Sequence, residues 1–148
     1  MAYPVTGSPV ETFVDAVRII LQADVTLTGL VTGVFGHLSE AARTAYPYLV
    51  LGRQGRTNEA GAMQVAGSMV TLQIDAWSDA KGPHATRVIL SRVAQLLERV
   101  SLTVAPFTYV EGSLTCEFEE VFDEPDADKP ESLLYHGVQR WTAEIHES

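Results

Sequence analysis

The sequence contains a single cysteine, Cys116, and few basic residues, with ten Lys and Arg against nineteen Asp and Glu. One cysteine cannot form a disulfide within the chain, which indicates a protein made and kept in a reducing cytoplasm. No apolar run approaches the roughly 20 residues of a membrane-spanning helix, so we expect no membrane segment. The first residues lack the basic and apolar regions of a secretory signal, and we predict none.

The sequence also lacks the local patterns of common catalytic and cofactor sites. It contains no Gly-x-Ser-x-Gly elbow, no Gly-x-x-x-x-Gly-Lys loop and no Gly-x-Gly-x-x-Gly turn. Its histidines, which we interpret as surface or interface residues, are not spaced as ligands of one metal ion: His37, His84, His136 and His146. We therefore predict a protein that is not an enzyme, with no catalytic residue, no metal site and no cofactor.

Length and composition are those of one globular domain. The chain has 148 residues, of which 46% are hydrophobic and 20% charged. This composition is too apolar for a disordered chain, and the length is sufficient to bury a core. Because no internal repeat and no linker divides the sequence, we predict a single domain over residues 1–148.

Residues 69–77 carry the clearest strand pattern. Apolar side chains alternate with polar ones from Val70 to Ala76, and Trp77 falls on the polar side. Successive side chains of a strand point to opposite faces, so this alternation predicts a half-buried strand with Trp77 partly exposed. For Trp77 we favour packing at the edge of the sheet, and the alternative is a contact with another subunit or a partner. After a polar turn, apolar residues at helical spacing predict a long amphipathic helix that ends near Val100.

The first helix is predicted from its capping residues. Ser8 is placed as the N-cap, Pro9 occupies the first helical position, and Glu11 completes a capping box. The apolar stripe that follows ends near Ala23. Asp24 is positioned to cap a second, short helix.

Further strands follow from alternation and from the Gly and Pro residues that interrupt it. In the strand predicted over 113–122, Cys116 and Phe118 share one face, and Glu117 and Glu119 share the solvent face. The other predicted segments are strands at 48–52, near 107–110 and at 135–146, a turn at 33–36, and flexible loops at 53–67 and 123–132. This order predicts an α+β fold, a mostly antiparallel sheet of four to five strands with two main helices packed on one face.

The negative charge is concentrated in the last quarter of the chain. Residues 1–110 contain equal numbers of acids and bases, whereas residues 111–148 contain eleven acids against Lys129 and Arg140. An acidic surface repels phosphate groups, so we expect no specific binding of nucleic acid. Two interpretations stay open: a solvated acidic surface that aids solubility, or a negative passage through which DNA slides without being held.

Several segments, taken in order, resemble a known family. They are the strand Pro47-Tyr48-Leu49-Val50-Leu51, a strand that ends in Ala76-Trp77-Ser78, a turn at Gly82 and the long amphipathic helix after it. In this order they are similar to the tail completion proteins of long-tailed bacteriophages and gene transfer agents, also called tail terminator or tail-to-head joining proteins. The resemblance extends from about Pro9 to Glu147.

The resemblance implies a structural protein of the virion, at the junction of head and tail, that is assembled in the host cytoplasm. A ring, expected to be a hexamer, caps the head-proximal end of the tail tube, ends tube polymerisation and allows the head to join. The implied partners are further copies of the chain, the tail tube protein and a head completion or connector protein, while DNA passes through the lumen without specific binding. As candidate assembly residues we select Arg53, Arg56, Trp77, Asp123, Glu124, Asp126 and Asp128.

Two other functions remain open on the sequence alone. A head-side connector or stopper protein of the neck has a similar size and composition. A small-ligand-binding or hydrolytic α+β domain would require a pocket with convergent polar groups, which a sequence does not reveal.

Overall fold

The computed structural model describes residues 8–36, 45–57, 67–125 and 133–146, except for the side chains of residues 53, 56 and 57. Within these ranges no helix has both the length and the apolar content to cross a membrane. The helices are α1 (Pro9–Ala23), α2 (Val25–Leu30) and α3 (His84–Leu97). The strands are β1 (Val34–Phe35), β2 (Tyr48–Thr57), β3 (Gly67–Ser78), β4 (Thr108–Tyr109), β5 (Thr115–Pro125) and β6 (Leu133–His146).

The strands form one sheet in the order β1-β2-β3-β6, and both β4 and β5 pair with β6. Every pair is antiparallel except β1 with β2, which is parallel. The predicted α+β class and the mostly antiparallel sheet are therefore confirmed. The described residues contain six strands because Val34 and Phe35, predicted to lie in a turn, pair with Leu49 and Val50.

The helix starts follow the predicted capping. The hydroxyl of Ser8 accepts a hydrogen bond from the backbone N–H of Glu11 at 3.0 Å, and α1 begins at Pro9. The carboxylate of Asp24 accepts one from the N–H of Leu27 at 2.8 Å and caps α2. The same carboxylate pairs with Arg92 of α3 at 2.7 Å. The bonds from Arg92 and then from Leu27 lower the pKa of Asp24, so it stays charged and links α2 to α3.

The hydrophobic core lies between α1, α3 and one side of the sheet, which we call the inner face. The predicted alternation of β3 is confirmed, since Val70, Leu72, Ile74 and Ala76 are all buried. From β6 the inner face receives Gln139 and Trp141, both fully buried. The amide of Gln139 donates to the carbonyl of Leu90 and accepts from the indole N–H of Trp141, at 2.9 and 3.1 Å. These bonds satisfy polar groups that would be costly to bury unpaired.

The predicted loops are shorter than expected where the structure describes them. Residues 53–57 belong to β2, and residues 123–125 belong to β5. Pairing is the reason: β2 stays paired with β3 as far as Thr57↔Met69, through a register shift between Leu51 and Gln54, and β5 stays paired with β6 as far as Pro125↔Leu133. Backbone hydrogen bonding of a long partner strand here overrides local composition. Residues 58–66 and 126–132 lie outside the described part of the chain.

The faces of β5 also differ from the prediction. A shift of register between Cys116 and Phe118 marks a β-bulge, which moves every later residue of β5 to the other face. Cys116 and Val121 consequently pack against the core, whereas Phe118 lies on the opposite side, beneath Arg140. Glu117 bonds to Thr142 and Glu119 to Gln139, so these two carboxylates lie on different faces. The predicted sharing of one face by Cys116 and Phe118, and by Glu117 and Glu119, is therefore wrong.

Candidate functional site

The side of the sheet away from the helices, here called the open face, carries most of the predicted functional residues. In β3 it receives the side chains that alternate with the buried set, among them Gln73, Asp75 and Trp77. In β6 the residues directly opposite are Arg140, Val138 and His136. None of the three described helices packs on this face. Several of its side chains are nevertheless buried, among them Asp75 and Val138, because they pack on one another.

Five of these side chains form a connected group, which we call the His136 cluster: Asp75, Trp77, Phe122, Glu124 and His136. The imidazole of His136 stacks on Trp77 with ring centroids 3.9 Å apart and planes 8° from parallel. Its Nε2 lies 2.7 Å from Oδ1 of Asp75, and its Nδ1 lies 3.2 Å from Oε1 of Glu124. Phe122 is tilted against the imidazole at 6.3 Å.

The strand register explains why these residues meet. Trp77 and Phe122 stand directly opposite His136, from the two strands that flank β6. Asp75 and Glu124 lie two residues along those strands, and a period of two returns a strand to the same face. The cluster therefore joins β3, β6 and β5 through side chains at the end of β5.

A protonated imidazole offsets one of the two negative charges in the cluster. Burial by itself would lower the pKa of His136, but the hydrogen bonds to Asp75 and then to Glu124 outweigh burial and raise that pKa above its ordinary value. A protonated imidazole donates from both nitrogens, so each carboxylate receives one bond. Asp75 also accepts a bond from the amide of Gln73 at 3.0 Å. The side chain of Glu124 is 45% exposed and its bond to His136 is the longer of the two, so the bond to Glu124 is weaker than the bond to Asp75.

An aromatic row continues from the cluster across the open face to β1. Tyr48 stands opposite Trp77 in the register. Its ring stacks on Tyr46 at 5.2 Å and meets the edge of Phe35 at 6.2 Å. Burial raises the pKa of Tyr48 to about 12. This second, smaller apolar cluster shows that part of the open face is packed although none of the described helices covers it.

Towards the other end of the sheet the open face becomes polar. A shallow cleft of about 240 Å³ is lined mainly by Thr71, Gln73, Glu117, Arg140 and Thr142. The guanidinium of Arg140 lies over the ring of Phe118 at 4.9 Å from its centroid, a cation–π contact. The cleft is open to solvent on one side. Its hydroxyl and carboxylate groups include Thr142 and Glu117, which are joined by a long hydrogen bond of 3.4 Å.

The imidazole of His136 and the thiol of Cys116 are poorly placed for chemistry. Both ring nitrogens of His136 are bonded to carboxylates, so neither is free to act on a substrate. Cys116 is half-buried, and burial raises the pKa of its thiol, which disfavours the reactive thiolate. Within the described part of the chain, no group of three or more His, Cys, Asp or Glu side chains is arranged to hold a metal ion.

The structure brings together two of the seven candidate assembly residues, Trp77 and Glu124, because both contact His136. Asp123 is exposed on β5, next to the cluster. Arg53 and Arg56 are in β2, but their side chains lie outside the described part, as do residues 126 and 128 altogether. The predicted partial exposure of Trp77 agrees with its intermediate burial.

The sequence interpretation missed the role of His136 and Asp75. The spacing of the histidines predicts only a surface or interface residue at His136, and the alternation of β3 predicts only that Asp75 lies on the polar side of its strand. The alternation of β3 already placed Asp75 on one face with Trp77. The register of β6 against β3 determines that His136 is the residue opposite Trp77, and a local sequence pattern contains no information on that register.

Comparison with known proteins agrees with this architecture. Residues 15–146 match the family described as tail completion protein gp17. No functionally curated protein sequence matches the chain.

Among solved structures, the chain is similar to one from the virion of a native gene transfer agent particle, with a TM-score of 0.72 and 21% identity. That match covers 98% of this chain and 99% of the other. It is also similar to the gp17 protein of bacteriophage SPP1, with a TM-score of 0.59, 21% identity, and 90% and 88% of the two chains covered. At this identity the likeness to the solved structures shows a shared fold. The family match spans most of the chain, and this protein therefore belongs to the tail completion protein gp17 family, whose members are structural proteins of phage-like tails.

Proposed function

We propose that this protein closes as a ring, a hexamer, on the head-proximal end of a tail tube, where it ends tube polymerisation and allows the head to join. The observation that carries the proposal is the family match over residues 15–146. A similar fold in the virion of a gene transfer agent supports a place in the particle itself. Assembly in the host cytoplasm precedes this location.

The described structure is consistent with a protein whose function is to bind other proteins of the particle. Polar groups of the open face bind one another, as in the His136 cluster, and within the described part of the chain no group of three or more His, Cys, Asp or Glu side chains is arranged to hold a metal ion. We therefore assign the protein a non-enzymatic role, without a cofactor. Its function then depends on which surfaces meet which partners.

The proposed partners are further copies of the chain, the tail tube protein on one side of the ring and a head completion or connector protein on the other. A cyclic ring requires two different surfaces of each subunit that meet and close. Of the candidate assembly residues, Asp123 is exposed, and Trp77 is half-buried on the open face. DNA would pass through the lumen without specific binding, because the net charge of −9 disfavours phosphate contacts.

The first test is deletion of this gene in a host that makes the parent particle, followed by negative-stain electron microscopy of the lysate. Overlong tails without heads are the expected result, since nothing would stop the tube. Normal tails beside full, unjoined heads would instead support a head-side connector or joining role. Normal infectious particles would overturn the assembly role, and complementation with the intact gene controls for effects on neighbouring genes.

A further inference from the structure

Two opposite edges of the sheet are left without a partner strand in the described part of the chain. At one edge, β1 pairs only with Leu49 and Val50, so among the described strands none pairs with the outer side of residues 52–57. We call this stretch the β2 edge. At the other side, β5 pairs with β6 along its whole length and has no described strand beyond it. We call residues 115–125 the β5 edge.

The two edges carry opposite charge. The β2 edge contains Arg53 and Arg56 and no acidic residue. The β5 edge contains no basic residue and five acids, which are Glu117, Glu119, Glu120, Asp123 and Glu124. Like charges placed opposite one another destabilise strand pairing, whereas opposite charges stabilise it. Pairing of β5 with β5, or of the β2 edge with itself, is therefore disfavoured, and pairing of the β2 edge with β5 is favoured.

Strand direction allows this pairing to repeat. Since β2–β3, β3–β6 and β6–β5 are all antiparallel, β2 runs opposite to β5 within one subunit. When neighbouring copies are related by rotation, β5 of one copy meets β2 of the next in an antiparallel pair. Each copy then contacts one neighbour through its β5 edge and the other neighbour through its β2 edge. This is a heterologous contact, the type of contact that can close into a ring.

We infer that neighbouring copies of this chain join edge to edge, with the acidic β5 edge of one subunit pairing with the basic β2 edge of the next to continue the sheet. This inference rests on the proposed ring and names its subunit contact. The occupant of each edge is a second copy of the same chain. The backbone donors and acceptors on the outer side of β5 are then paired, and the basic edge of the neighbour offsets the acids that would disfavour pairing with another acidic strand.

The positions of the edges also suit closure. The open part of β2 pairs with residues 69–72 of β3, near the His146 end of the sheet. Most of β5 instead pairs with residues 133–140 of β6, towards the other end. Neighbouring copies would therefore join with a stagger along the strands. Stagger and strand tilt are the geometric requirement for closing a sheet on itself.

The test uses charge reversal on the full-length chain, added to purified tails from a host that lacks this gene. One variant carries Arg53→Glu with Arg56→Glu, and the other carries Glu120→Lys with Asp123→Lys. Glu120 and Asp123 are chosen because both are exposed, whereas Glu117, Glu119 and Glu124 bond to residues of their own subunit. Each reversal alone should lower the amount of chain bound per tail by about tenfold or more.

Combining the two reversals in one chain should restore binding, since the acidic and basic edges have then exchanged places. The combined variant also offers a direct readout with a zero-length amine-to-carboxyl cross-linker. The edges are separated by β3 and β6, roughly 14 Å at ordinary strand spacing, so a cross-link between the substituted positions joins two copies. Mass spectrometry of tail-bound chain should detect that link.

Remote reversals provide matched controls. Asp15→Lys with Asp79→Lys, and Lys81→Glu with Arg87→Glu, change net charge by the same amounts at exposed positions away from both edges. Neither should affect binding. The β2 reversal combined with Asp15→Lys and Asp79→Lys has the net charge of the parent but no complementary edges, and it should stay defective. Rescue by this combination would overturn the inference, because net charge alone would then explain the result.

The outcomes separate the two proposals. If the parent chain neither binds tail ends nor restores joining, the proposed function itself fails. If the parent chain does both and the reversals bind equally well, only the edge pairing is overturned. Thermal unfolding of each free variant checks that it folds. For any variant that does not, Arg53→Gln with Arg56→Gln, or Glu120→Gln with Asp123→Asn, should give a smaller loss of binding in the same direction.

Discussion

The two faces of the sheet are built from the same strands but are stabilised differently. On the inner face, Trp141 and Gln139 are fully buried beneath α3, and their polar atoms are bonded within the subunit. On the open face, the neighbouring residues Arg140 and His136 interact with aromatic rings and carboxylates near solvent. The difference indicates that the inner face supplies most of the stability of the fold. The open face and the sheet edges are the surfaces that remain for contacts with other molecules.

Substitution at Trp141 should show the largest difference between the faces. Trp141→Ala removes a fully buried indole, and the side-chain oxygen of Gln139 loses the indole N–H that donates to it. We expect a loss of about 3–5 kcal/mol in the free energy of unfolding, measured with urea. Phe118→Ala, on the open face opposite Arg140, is the matched aromatic truncation and should cost clearly less. Equal losses would contradict the assignment of stability to the inner face.

A smaller effect is expected where β6 passes beneath α3. A Cβ atom added at Gly137 would lie 2.6 Å from Cγ2 of Thr86 and 2.7 Å from Cδ1 of Leu90. Because these side chains are packed in the core, Gly137→Ala should destabilise the fold by about 1–3 kcal/mol. Gly29→Ala is the control, since nothing lies within 4 Å of the added atom there and the helix α2 gains propensity. Thermal unfolding of both variants measures the change in stability. An unchanged stability of the Gly137→Ala variant would contradict the close packing at this position.

Disrupting the His136 cluster should affect the end of β5 more than the whole fold. His136→Ala removes the stack on Trp77 and the bonds to Asp75 and Glu124. The expected cost is about 1–3 kcal/mol, because a buried carboxylate loses its charged donor. Amide exchange should become faster over residues 122–125 and remain unchanged in α1. Exchange that rises equally in both regions would show that the cluster supports the core instead.

The smallest predicted effect is a dependence on pH. A raised pKa in the folded state means that the stability contributed by His136 is fully present below about 6.5, the ordinary value, and is lost as the pH rises through the raised pKa. Asp75 keeps the bond from Gln73 after deprotonation, so Glu124 should be the carboxylate that is released. Exchange at residues 122–125 should therefore increase with pH beyond its intrinsic dependence. His136→Phe keeps an aromatic ring without titration and should abolish this extra increase.

Much of the inner face was predictable from local pattern. Ser8 and Asp24 cap their helices as predicted, and the alternation from Val70 to Ala76 identified the buried side of β3. These features depend on neighbours in the chain, for which capping chemistry and the period of two are reliable guides. The partial exposure of Trp77 followed from the same alternation.

The open face and the edges were harder to predict because they depend on pairing between distant strands. The bulge after Cys116 reversed the faces of β5, and the register of β6 placed His136 between Asp75 and Glu124. The extension of β2 to Thr57 likewise depends on β3, since the local composition of that stretch favours a loop. A shift of one residue in register exchanges the two faces of a strand, and a local pattern contains no information on such a shift.

By itself, the sequence determined the α+β class, the helix starts, the apolar side of β3 and the concentration of negative charge in the last quarter of the chain. Each of these is a property of composition or of residues a few positions apart. The tertiary structure alone decided that an acidic strand forms one edge of the sheet, with Arg53 and Arg56 in a strand near the other, and that a histidine joins three strands. Those arrangements arise from backbone pairing between segments as far apart as Trp77 and His136 in the chain.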